Sequence, residues 1–458
     1  MISHTPDISE SDLRDLLRSV DGPVDIEKVL DQWKAIQGWL PISHHYFPKP
    51  VWARRPFDHS IDKIWENLEQ VLDQSPAGHP LSIYIHVPFC NRRCGFCDLY
   101  SHALSRNKMD IEDAFVSRLM REIELWSSFP NLASRPVTTV HMGGGTPNLL
   151  RPDSFARIIE VCRRRFGINA DTEWALESTS RLLTDEHLVR LRELGFTRIH
   201  IGVQTLDDKT RKHIGRIEDS ATLLLRLKCV MSSGFVTSAD ILYGLPEQTL
   251  AELVATLTRL ADTGIHGFSM YQLQTNERNR RFMERWGADK QNLLLNYILF
   301  QVGDHYLQSK GYRKNFFTHF ALPSDRNLYY RHVLRGEDLL ALGPTADGVF
   351  GNYIYRHFDY DKYMTSHPPA LQGGSLETPT ESQLRPVAAQ LMTGLVSENT
   401  FMKLDLGPLL DLWQAGKLLE PSAMAPGHYE ITANGSWFMT QMVDQTLHRL
   451  QAHAGRHR

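Results

Sequence analysis

The strongest constraint on the fold is an alternation of apolar, β-rich runs with amphipathic runs that starts near residue 81. Alternating strands and helices are typical of βαβ units, whose strands pair in parallel. The strand candidates are Ser82–Val87, Val137–Met142, Thr172–Glu177, Arg198–Val203, Ser238–Tyr243 and Gly267–Leu273. The helix candidates between them include Asp113–Trp126, Pro152–Arg165, Asp185–Leu194 and Ser220–Ser233. We therefore predict an α/β fold, a partial or full barrel with its active site at the carboxyl ends of the strands.

Composition shifts along the chain predict five parts. Residues 1–80 are polar and proline-rich and form an N-terminal arm in this interpretation. Residues 81–350 form the barrel, and residues 351–380, with several prolines and two adjacent glycines, form a linker. We expect a small, mostly helical C-terminal domain over 381–450 and a disordered tail over 451–458.

The charge balance excludes some classes of partner. Lys and Arg number 50 against 53 Asp and Glu, a formal net charge of -3, so we expect no nucleic acid and no anionic membrane as partner. The acidic N-terminal stretch lacks the apolar run of a secretory signal, and no run of about 18 apolar residues occurs. We therefore predict a cytoplasmic protein, which we expect to be a monomer.

Three of the five cysteines, Cys90, Cys94 and Cys97, fall within eight residues just after the first predicted strand. Thiolates are soft ligands that suit zinc or iron–sulfur clusters. A structural zinc site needs four protein ligands, so a zinc knuckle would require His86 or His102 as well. Three thiolates instead suit a four-iron cluster whose fourth iron stays open to a chelating cofactor. The spacing therefore favours a [4Fe–4S] cluster.

The run from Tyr84 to Asp98 resembles the radical S-adenosylmethionine (SAM) superfamily, and its segment YIHVPFC is similar to the oxygen-independent coproporphyrinogen III oxidase group. The resemblance implies a [4Fe–4S] cluster on the three cysteines, with SAM bound to the open iron. Reductive cleavage of SAM would then give a 5′-deoxyadenosyl radical, with electrons from a flavodoxin- or ferredoxin-type donor. Such chemistry belongs to the cofactor, which the protein positions.

Other motifs follow the predicted strands. The triplet Gly143–Gly145 lets the backbone approach a ligand closely, and Glu177, Gln204 and Asp240 stand at strand ends. The resemblance implies that Tyr84, Gly144 and Glu177 contact one SAM molecule. It also implies a second SAM molecule, and the residues that match its contacts are Phe96, Gly145, Thr146, Gln204, Arg216, Asp240 and Gln274. Asp347 lies in a stretch that is similar to the group's adenosine-binding segment.

The match departs from the oxidases at two places. Where they carry a further cysteine this chain has Leu99, and Tyr46-Phe47-Pro48 is a poor match to the Tyr-Pro motif of their N-terminal arm. We therefore expect a relative of the class C radical SAM methyltransferases, which transfers a methyl or methylene group to an sp² carbon of a small aromatic or conjugated substrate. Gln204, Arg216 and Asp240 would align the reactants, and Tyr271 or His319 would act as base.

Two alternatives to methyl transfer or cyclopropanation stay open. One is a haem chaperone, since the Cys97-Asp98 pair resembles the pattern that the chaperone group shares with the class C methyltransferases, and the chain has 21 histidines as potential axial ligands. The other is coproporphyrinogen III oxidation itself. The three functions differ in what the adenosyl radical is used for, and the substrate is not encoded in any motif.

Overall fold

The strand–helix alternation folds into a twelve-stranded sheet in the computed structural model. The structure describes residues 9–20, 22, 24–37, 45, 57–76, 78–92, 94–97, 102–104, 109–287 and 292–456. Leu99 and the Tyr46-Phe47-Pro48 segment lie outside these residues. The strands, in chain order, are β1 Leu81–Val87, β2 Phe89–Cys90, β3 His102–Ala103, β4 Val137–Gly144, β5 Glu173–Ser178, β6 Arg198–Gln204, β7 Val236–Tyr243, β8 Gly267–Gln272, β9 Arg313–Phe316, β10 His319–Ala321, β11 Leu339–Leu342, β12 Asp347–Phe350, β13 Tyr353–His357, β14 Leu371–Leu376, β15 Leu395–Ser397, β16 Leu419–Pro421 and β17 His428–Ile431.

Helices follow most of the strands of the main sheet. They are α1 Glu10–Arg18, α2 Ile26–Ile36, α3 Ile61–Gln74, α4 Met109–Trp126, α5 Pro130–Ala133, α6 Pro152–Arg165, α7 Asp185–Glu193, α8 Asp208–His213, α9 Ser220–Ser232, α10 Leu250–Ala261, α11 Arg280–Trp286, α12 Leu293–Ser309, α13 Leu328–Leu334, α14 Tyr360–Thr365, α15 Pro379–Thr393, α16 Glu398–Lys403, α17 Gly407–Ala415, α18 Ala433–Trp437 and α19 Met439–Arg456. Side-chain caps fix several starts: Thr249 and Glu252 form a capping box at α10.

The sheet has the order β14-β13-β12-β11-β1-β4-β5-β6-β7-β8-β10-β9. Strands β11, β1 and β4 to β8 run parallel, and antiparallel strands extend the sheet on both sides. Five βα crossovers join β1 to β4 and each of β4 to β7 to the next strand, as the sequence predicts. Among the described residues β14 and β9 are the edge strands, so the barrel is open, and the α/β prediction is confirmed.

The two faces of the sheet have opposite chemistry. The outer face is aliphatic and fully buried beneath the helices, as at Ile83, Val140 and Ile199. On the inner face the register places polar or aromatic side chains next to one another on successive strands, since Tyr84 pairs with His141 and Glu177 pairs with His200. Strands that are buried on both faces are usually near-continuous in aliphatic residues. The polar inner face therefore marks the interior as the functional side.

The described part of the N-terminal arm packs on the sheet and on the C-terminal part. Asp58 exchanges backbone hydrogen bonds of 2.8 and 3.0 Å with Gly374 of β14. His45 is buried: its N–H donates to the Gln272 side chain (2.6 Å), and its ring bonds to the Tyr243 hydroxyl (2.6 Å) and the Ser436 carbonyl (3.0 Å). Burial lowers the pKa of His45 to about 3.

This neutral histidine predicts acid sensitivity. The unfolded chain protonates His45 near pH 6.5, whereas the folded chain resists protonation down to a pKa of about 3, so the unfolded state binds more protons between these values. Stability is then full above pH 6.5 and falls as the pH drops, by roughly 2 kcal/mol from His45 between pH 6.5 and 5. Urea unfolding at pH 7 and pH 5 measures this loss. The loss should shrink in His45→Gln and persist in His367→Gln, on the surface.

The segment 351–380 is not the linker that its prolines and glycines predict. It forms β13, α14 and β14, which extend the main sheet. The glycines serve packing, because a Cβ on Gly374 would lie 1.9 Å from the Tyr353 hydroxyl oxygen and one on Gly373 would lie 2.5 Å from Phe57. Glycine in a strand often marks such a close approach. The tail prediction is also wrong through Arg456, because α19 continues to that residue.

After β14 the chain becomes mostly helical. Helices α15 to α19 surround a three-stranded sheet of order β15-β17-β16. The helix α18 packs on α12, and the Asn434 side chain links the Tyr297 hydroxyl (2.6 Å) to the backbone of Gln32 in the arm (2.8 Å). Among the described residues no helix is long and apolar enough to cross a membrane.

Candidate active site

A cavity of about 200 Å³ opens at the carboxyl ends of β4 to β7, and we name it the cluster cavity. Cys90, Cys94 and Cys97 all line it; each is half-buried and outside any disulfide. Eight further residues predicted for cofactor binding line the same cavity: Phe96, Gly144, Gly145, Thr146, Glu177, Gln204, Arg216 and Asp240. The structure therefore brings together residues that are spread over 150 positions of the sequence.

The three thiols suit a cluster better than a single ion. Among the described residues no three His, Cys, Asp or Glu side chains converge tightly enough to hold one metal ion. In an iron–sulfur cluster each thiolate binds a different iron atom, so such convergence is not needed. The His86 ring of the zinc alternative bonds to the hydroxyls of Tyr84 (3.0 Å) and Thr345 (3.4 Å). The donor set therefore fits a [4Fe–4S] cluster.

The glycine turn after β4 is tied to the cysteine loop by backbone hydrogen bonds. The N–H of Gly145 donates to the Val87 carbonyl (2.8 Å), and the N–H of Thr146 donates to the Phe89 carbonyl (2.7 Å). A Cβ on Gly145 would lie 2.4 Å from the Phe89 carbonyl oxygen, so a side chain would separate the two loops. Gly144 has φ +98°, a conformation that favours glycine. This turn lies beside Cys90, and we name it the glycine cradle.

Glu177 fixes this cradle from below. Its carboxylate accepts a hydrogen bond from the Gly144 N–H (3.2 Å) and another from the Nε2 of His141 (2.9 Å). Burial by itself raises the pKa of Glu177, but the hydrogen bond and charge of His141 outweigh it and bring the pKa down to about 2. The glutamate is thus an anion at neutral pH. It offers the cavity a fixed negative charge at the end of β5.

Gln204 and Arg216 converge above Gly202. Gln204 ends β6 at a register shift with φ 73°, and a Cβ on Gly202 would lie 2.9 Å from its amide nitrogen and 3.0 Å from the Arg216 guanidinium. Arg216 also lies over the Phe96 ring, 5.7 Å from its centroid. Its Nε is buried and has no hydrogen-bond partner among the described residues. A buried donor of this kind is costly unless a ligand completes it, so it marks a site for an anionic or polar group.

Asp240 completes the cavity from β7. One carboxylate oxygen lies 2.5 Å from Nε2 of His200, and Nδ1 of His200 lies 2.6 Å from the Ser238 hydroxyl. Asp240 and His200 both line the cluster cavity. The lining of the cavity therefore includes three carboxylates and four guanidiniums, those of Glu177, Glu218 and Asp240 and those of Arg92, Arg181, Arg211 and Arg216. Charges of both signs suit a ligand with both an amino and a carboxylate group.

A second, larger cavity of about 580 Å³ lies beside the first; we name it the aromatic cavity. Tyr84, His86, Tyr329 and Tyr330 line it together with aliphatic side chains of α13, α15 and β11. Tyr329 stacks on both Tyr84 and His141, with ring centroids 5.4 and 4.3 Å apart. Sequence reasoning missed Tyr329 and Tyr330, because their segment carries no periodic signal; the adjacent tyrosines were the sole hint.

Four of the predicted site residues lie away from the cluster cavity. Tyr84 and Asp347 line the aromatic cavity, where Asp347 forms an ion pair with Arg356 (2.7 and 2.8 Å). Gln274 donates to the His45 carbonyl in the arm (3.2 Å). Burial and the charge of Asp240 raise the pKa of Tyr271. Its hydroxyl therefore stays protonated at neutral pH and is not available as a base.

Comparison with known proteins agrees with the predicted superfamily. Residues 84–260 match the model of the radical SAM superfamily. The chain therefore carries a radical SAM domain, and its relatives include HemN- and HemW-like proteins. The oxygen-independent coproporphyrinogen III oxidase of Escherichia coli is 29% identical over 304 residues, 62% of this chain and 65% of the oxidase. The heme chaperone HemW of the same organism is 26% identical over 384 residues, 80% of this chain and 98% of the chaperone.

The fold of the domain agrees with a solved structure. Coproporphyrinogen III oxidase (HemN) from Escherichia coli, a radical SAM enzyme, matches with a TM-score of 0.75 at 23% identity, over 88% of this chain and 96% of that chain. Radical SAM proteins use a [4Fe–4S] cluster and SAM, so the predicted cofactors are confirmed for this chain. The orphaned Arg216 Nε and the glycine cradle fit SAM. A second SAM molecule stays a prediction.

The predicted transfer of a methyl or methylene group is wrong. Relatives that match over hundreds of residues include a coproporphyrinogen III oxidase, a heme chaperone and an anaerobilin synthase, and the solved structure that matches is that of the oxidase. The methyltransferase interpretation rested on few positions, chiefly Leu99, and Leu99 lies outside the described residues. The alternatives from the same sequence therefore describe the relatives better. The base role assigned to Tyr271 or His319 loses its purpose with the methylation.

Glu177 gives a direct test of the cradle in the radical SAM domain. Glu177→Gln keeps the side-chain volume but removes the charge that holds His141 and the Gly144 N–H. We expect SAM to bind about tenfold more weakly, since a hydrogen bond to a charged group contributes about 1.5–3 kcal/mol. Equilibrium dialysis with radiolabelled SAM measures the change. Glu186→Gln, an exposed change on α7, should bind like the parent chain, and equal binding by both variants would contradict the role of Glu177.

Proposed function

We propose that this chain catalyses the oxygen-independent oxidation of coproporphyrinogen III or of a porphyrinogen with similar carboxylate side chains. The observation that carries the proposal is the cluster cavity, in which three thiols, the glycine cradle and the orphaned Arg216 Nε face one another. The relatedness to the coproporphyrinogen III oxidase, 29% identical over 304 residues, supports the choice of substrate. The match to HemN in fold extends over 96% of that chain and includes regions outside the radical SAM domain.

The chain's own residues would hold the reactants. Cys90, Cys94 and Cys97 would bind the cluster, which together with SAM supplies a 5′-deoxyadenosyl radical when both are bound. Glu177 would receive the amino group of SAM, because its carboxylate is ionised and faces the cradle. Arg216 would pair with a carboxylate, since guanidinium and carboxylate groups form strong charge-assisted hydrogen bonds.

The aromatic cavity would hold the substrate. Its volume of about 580 Å³ and its wall of Tyr84, Tyr329 and Tyr330 suit a large, flat, mostly apolar molecule. The His86 ring stands between this cavity and the cradle, because a Cβ on Gly144 would lie 2.4 Å from its Cε1. A substrate in the aromatic cavity would therefore lie against the wall behind which SAM binds.

The remaining partners follow from the same proposal. Radical SAM enzymes act on small molecules with a reductant, and here a flavodoxin- or ferredoxin-type protein would deliver the electrons. We place the chain in the cytoplasm as a monomer, where such donors and reduced thiols are found.

The test is an anaerobic assay of the purified, cluster-loaded chain with SAM, dithionite and coproporphyrinogen III. We expect 5′-deoxyadenosine to form with the tetrapyrrole product, identified by mass as the loss of carbon dioxide and two hydrogen atoms from each carboxylate side chain that reacts. One of these hydrogen atoms goes to the 5′-deoxyadenosyl radical, and the other leaves as a proton and an electron. A Cys94→Ala chain controls for reactions of free iron and should form neither compound. Formation of 5′-deoxyadenosine without any change in the tetrapyrrole would overturn the proposed substrate but leave the radical chemistry standing.

A haem chaperone is the second candidate, favoured by the match to 98% of HemW. Leu99 favours it too, since the oxidases carry a cysteine at that position. Titration with haemin separates the two: a chaperone should show a saturable one-to-one shift of the haem absorption band. His86→Ala and His367→Ala serve as a pair, because His86 lines the aromatic cavity and His367 is exposed. Absence of any saturable shift would count against the chaperone.

A further inference from the structure

A buried ion pair lies beneath the cluster cavity without reaching it. Nε of Arg198, at the start of β6, lies 2.8 Å from one carboxylate oxygen of Asp325, which follows β10. Both side chains are almost completely inaccessible, at 2% and 0% exposure, and neither lines the cluster cavity or the aromatic cavity. A buried pair of charges rarely gains much stability over apolar residues of the same size. Its presence therefore points to another purpose.

One series of hydrogen bonds, which we name the His200 arm, leads from the ion pair to Asp240. The Arg198 guanidinium donates to the Ser238 hydroxyl (2.7 Å), which lies 2.6 Å from Nδ1 of His200. Arginine has no acceptor and stays protonated, so the Ser238 oxygen accepts from it and the Ser238 O–H is left to donate to Nδ1. His200 then carries its proton on Nε2, which donates to Asp240 at 2.5 Å. The arm thus sets the tautomer of His200.

A second series of hydrogen bonds with the same composition, which we name the His319 arm, leads toward Tyr271. The other carboxylate oxygen of Asp325 accepts from Nε2 of His319 (2.9 Å), and Nδ1 of His319 accepts from the Ser269 hydroxyl (2.7 Å). Tyr271 stands two residues after Ser269 on the same strand, β8. Each arm is a serine and a histidine, fully or almost fully buried on the inner face of the sheet. Asp325 therefore balances Arg198 and orients both arms.

We propose that the Arg198–Asp325 pair is a positioning unit, which acts through Ser238 and His200 to hold the Asp240 carboxylate in a fixed orientation, aimed into the cluster cavity. The ligand class for Asp240 is a cation, such as the amino or sulfonium group of SAM. The assignment rests on the proposed function only for its activity readout, because the tautomer of His200 is measurable in the chain alone.

Ser238→Ala removes the hydroxyl that links the Arg198 guanidinium to the His200 ring, and so breaks the His200 arm. We expect ¹⁵N NMR of histidine-labelled chain to show His200 protonated at Nε2 in the parent and mixed between both nitrogens in the variant, with the His200 signals identified by their loss in His200→Gln. Ser82→Ala is the matched control. Ser82 is a buried serine of β1 on the inner face of the sheet, the face on which Ser238 lies, and its hydroxyl has no hydrogen-bond partner among the described residues. Its spectrum should equal that of the parent.

Function gives a second readout. In the reductive cleavage of SAM by the cluster-loaded chain, Ser238→Ala should raise KM for SAM by about tenfold and change kcat little, since one hydrogen bond to a charged group is weakened. Ser238→Thr retains a hydroxyl and should restore KM. If Ser238→Ala does not fold, Ser238→Cys, with a weaker donor of similar shape, should shift KM in the same direction.

Two outcomes would overturn the proposal. One is a His200 that keeps its Nε2 proton in Ser238→Ala, because the arm would then not set the tautomer. The other is a Ser82→Ala chain that changes KM as much as Ser238→Ala, because the effect would then be one of packing. A chain that fails to convert a tetrapyrrole overturns only the proposed function, since the NMR experiment uses no substrate.

Discussion

Cys94→Ala is expected to abolish cluster binding and with it all formation of 5′-deoxyadenosine. Cys94 lies between Cys90 and Cys97 on a loop whose backbone is held at both sides, by the Gly95 N–H on the Ile214 carbonyl (3.4 Å) and the Cys97 N–H on the Cys94 carbonyl (3.2 Å). No other described cysteine lines the cluster cavity. Two thiolates would then have to hold a cluster that needs three from the protein.

The measurement is iron content and visible absorption after anaerobic reconstitution. The parent chain should bind about four iron atoms and turn brown, and Cys94→Ala should lose most of both. The matched control is Cys229→Ala, the same change at a half-buried cysteine on α9. A Cys94→Ala chain with unchanged iron and colour would show that the ligand assignment is wrong. If Cys229→Ala also loses iron, the loss reflects general instability.

Gly145→Ala is expected to weaken SAM binding by at least about tenfold although it adds a single methyl group. The new Cβ would lie 2.4 Å from the carbonyl oxygen of Phe89 and 2.8 Å from its nitrogen and carbonyl carbon. These are backbone atoms of the strand that leads into Cys90, so they cannot move aside as a side chain could. Overpacking of this kind costs about 1–3 kcal/mol, and the strain falls on the two hydrogen bonds that join cradle and cysteine loop.

Calorimetric titration of the cluster-loaded variant with SAM measures the effect. Gly22→Ala is a control in the arm, where the nearest atom to the new Cβ is a flexible side-chain carbon of Val254 at 3.3 Å. It should bind SAM like the parent. Iron content distinguishes a distorted cradle from a lost cluster. A Gly145→Ala chain that keeps its full iron content but binds SAM weakly has a distorted cradle. Unchanged SAM affinity with a full cluster would contradict the cradle's role.

Local patterns in the sequence were enough for the strands and the cluster loop. Helix α6 has the predicted bounds, Pro152–Arg165, because proline at its start and three arginines at its end mark both termini. The cysteine spacing predicts the cluster ligands for the same reason: all three stand within eight residues of one another. Elements whose signal is local are those that a single sequence predicts best.

Residues placed by tertiary packing were not predicted. Asp325 lies in the irregular segment between β10 and α13, and Tyr329 lies in the first turn of α13. Each reaches the inner face through a partner distant in sequence, Arg198 and His141 respectively. The sequence did carry a signal for Arg198, since Arg198 and His200 interrupt a parallel strand that should be aliphatic. The error at 351–380 has the same origin, because Gly374 accommodates Tyr353 across the sheet.

His45 sets a boundary for anyone who expresses fragments of this chain. Its backbone, its two ring nitrogens and its ring faces meet Gln272 at the end of β8, Tyr243 at the end of β7, and Ser436 and Trp437 in α18. A recombinant piece that starts at residue 81 would expose the Tyr243 hydroxyl and the Ser436 carbonyl in an apolar hole lined by Phe300. His45 contacts both the radical SAM domain and the C-terminal part. A fragment without it should therefore lose the junction between these two parts as well as the arm.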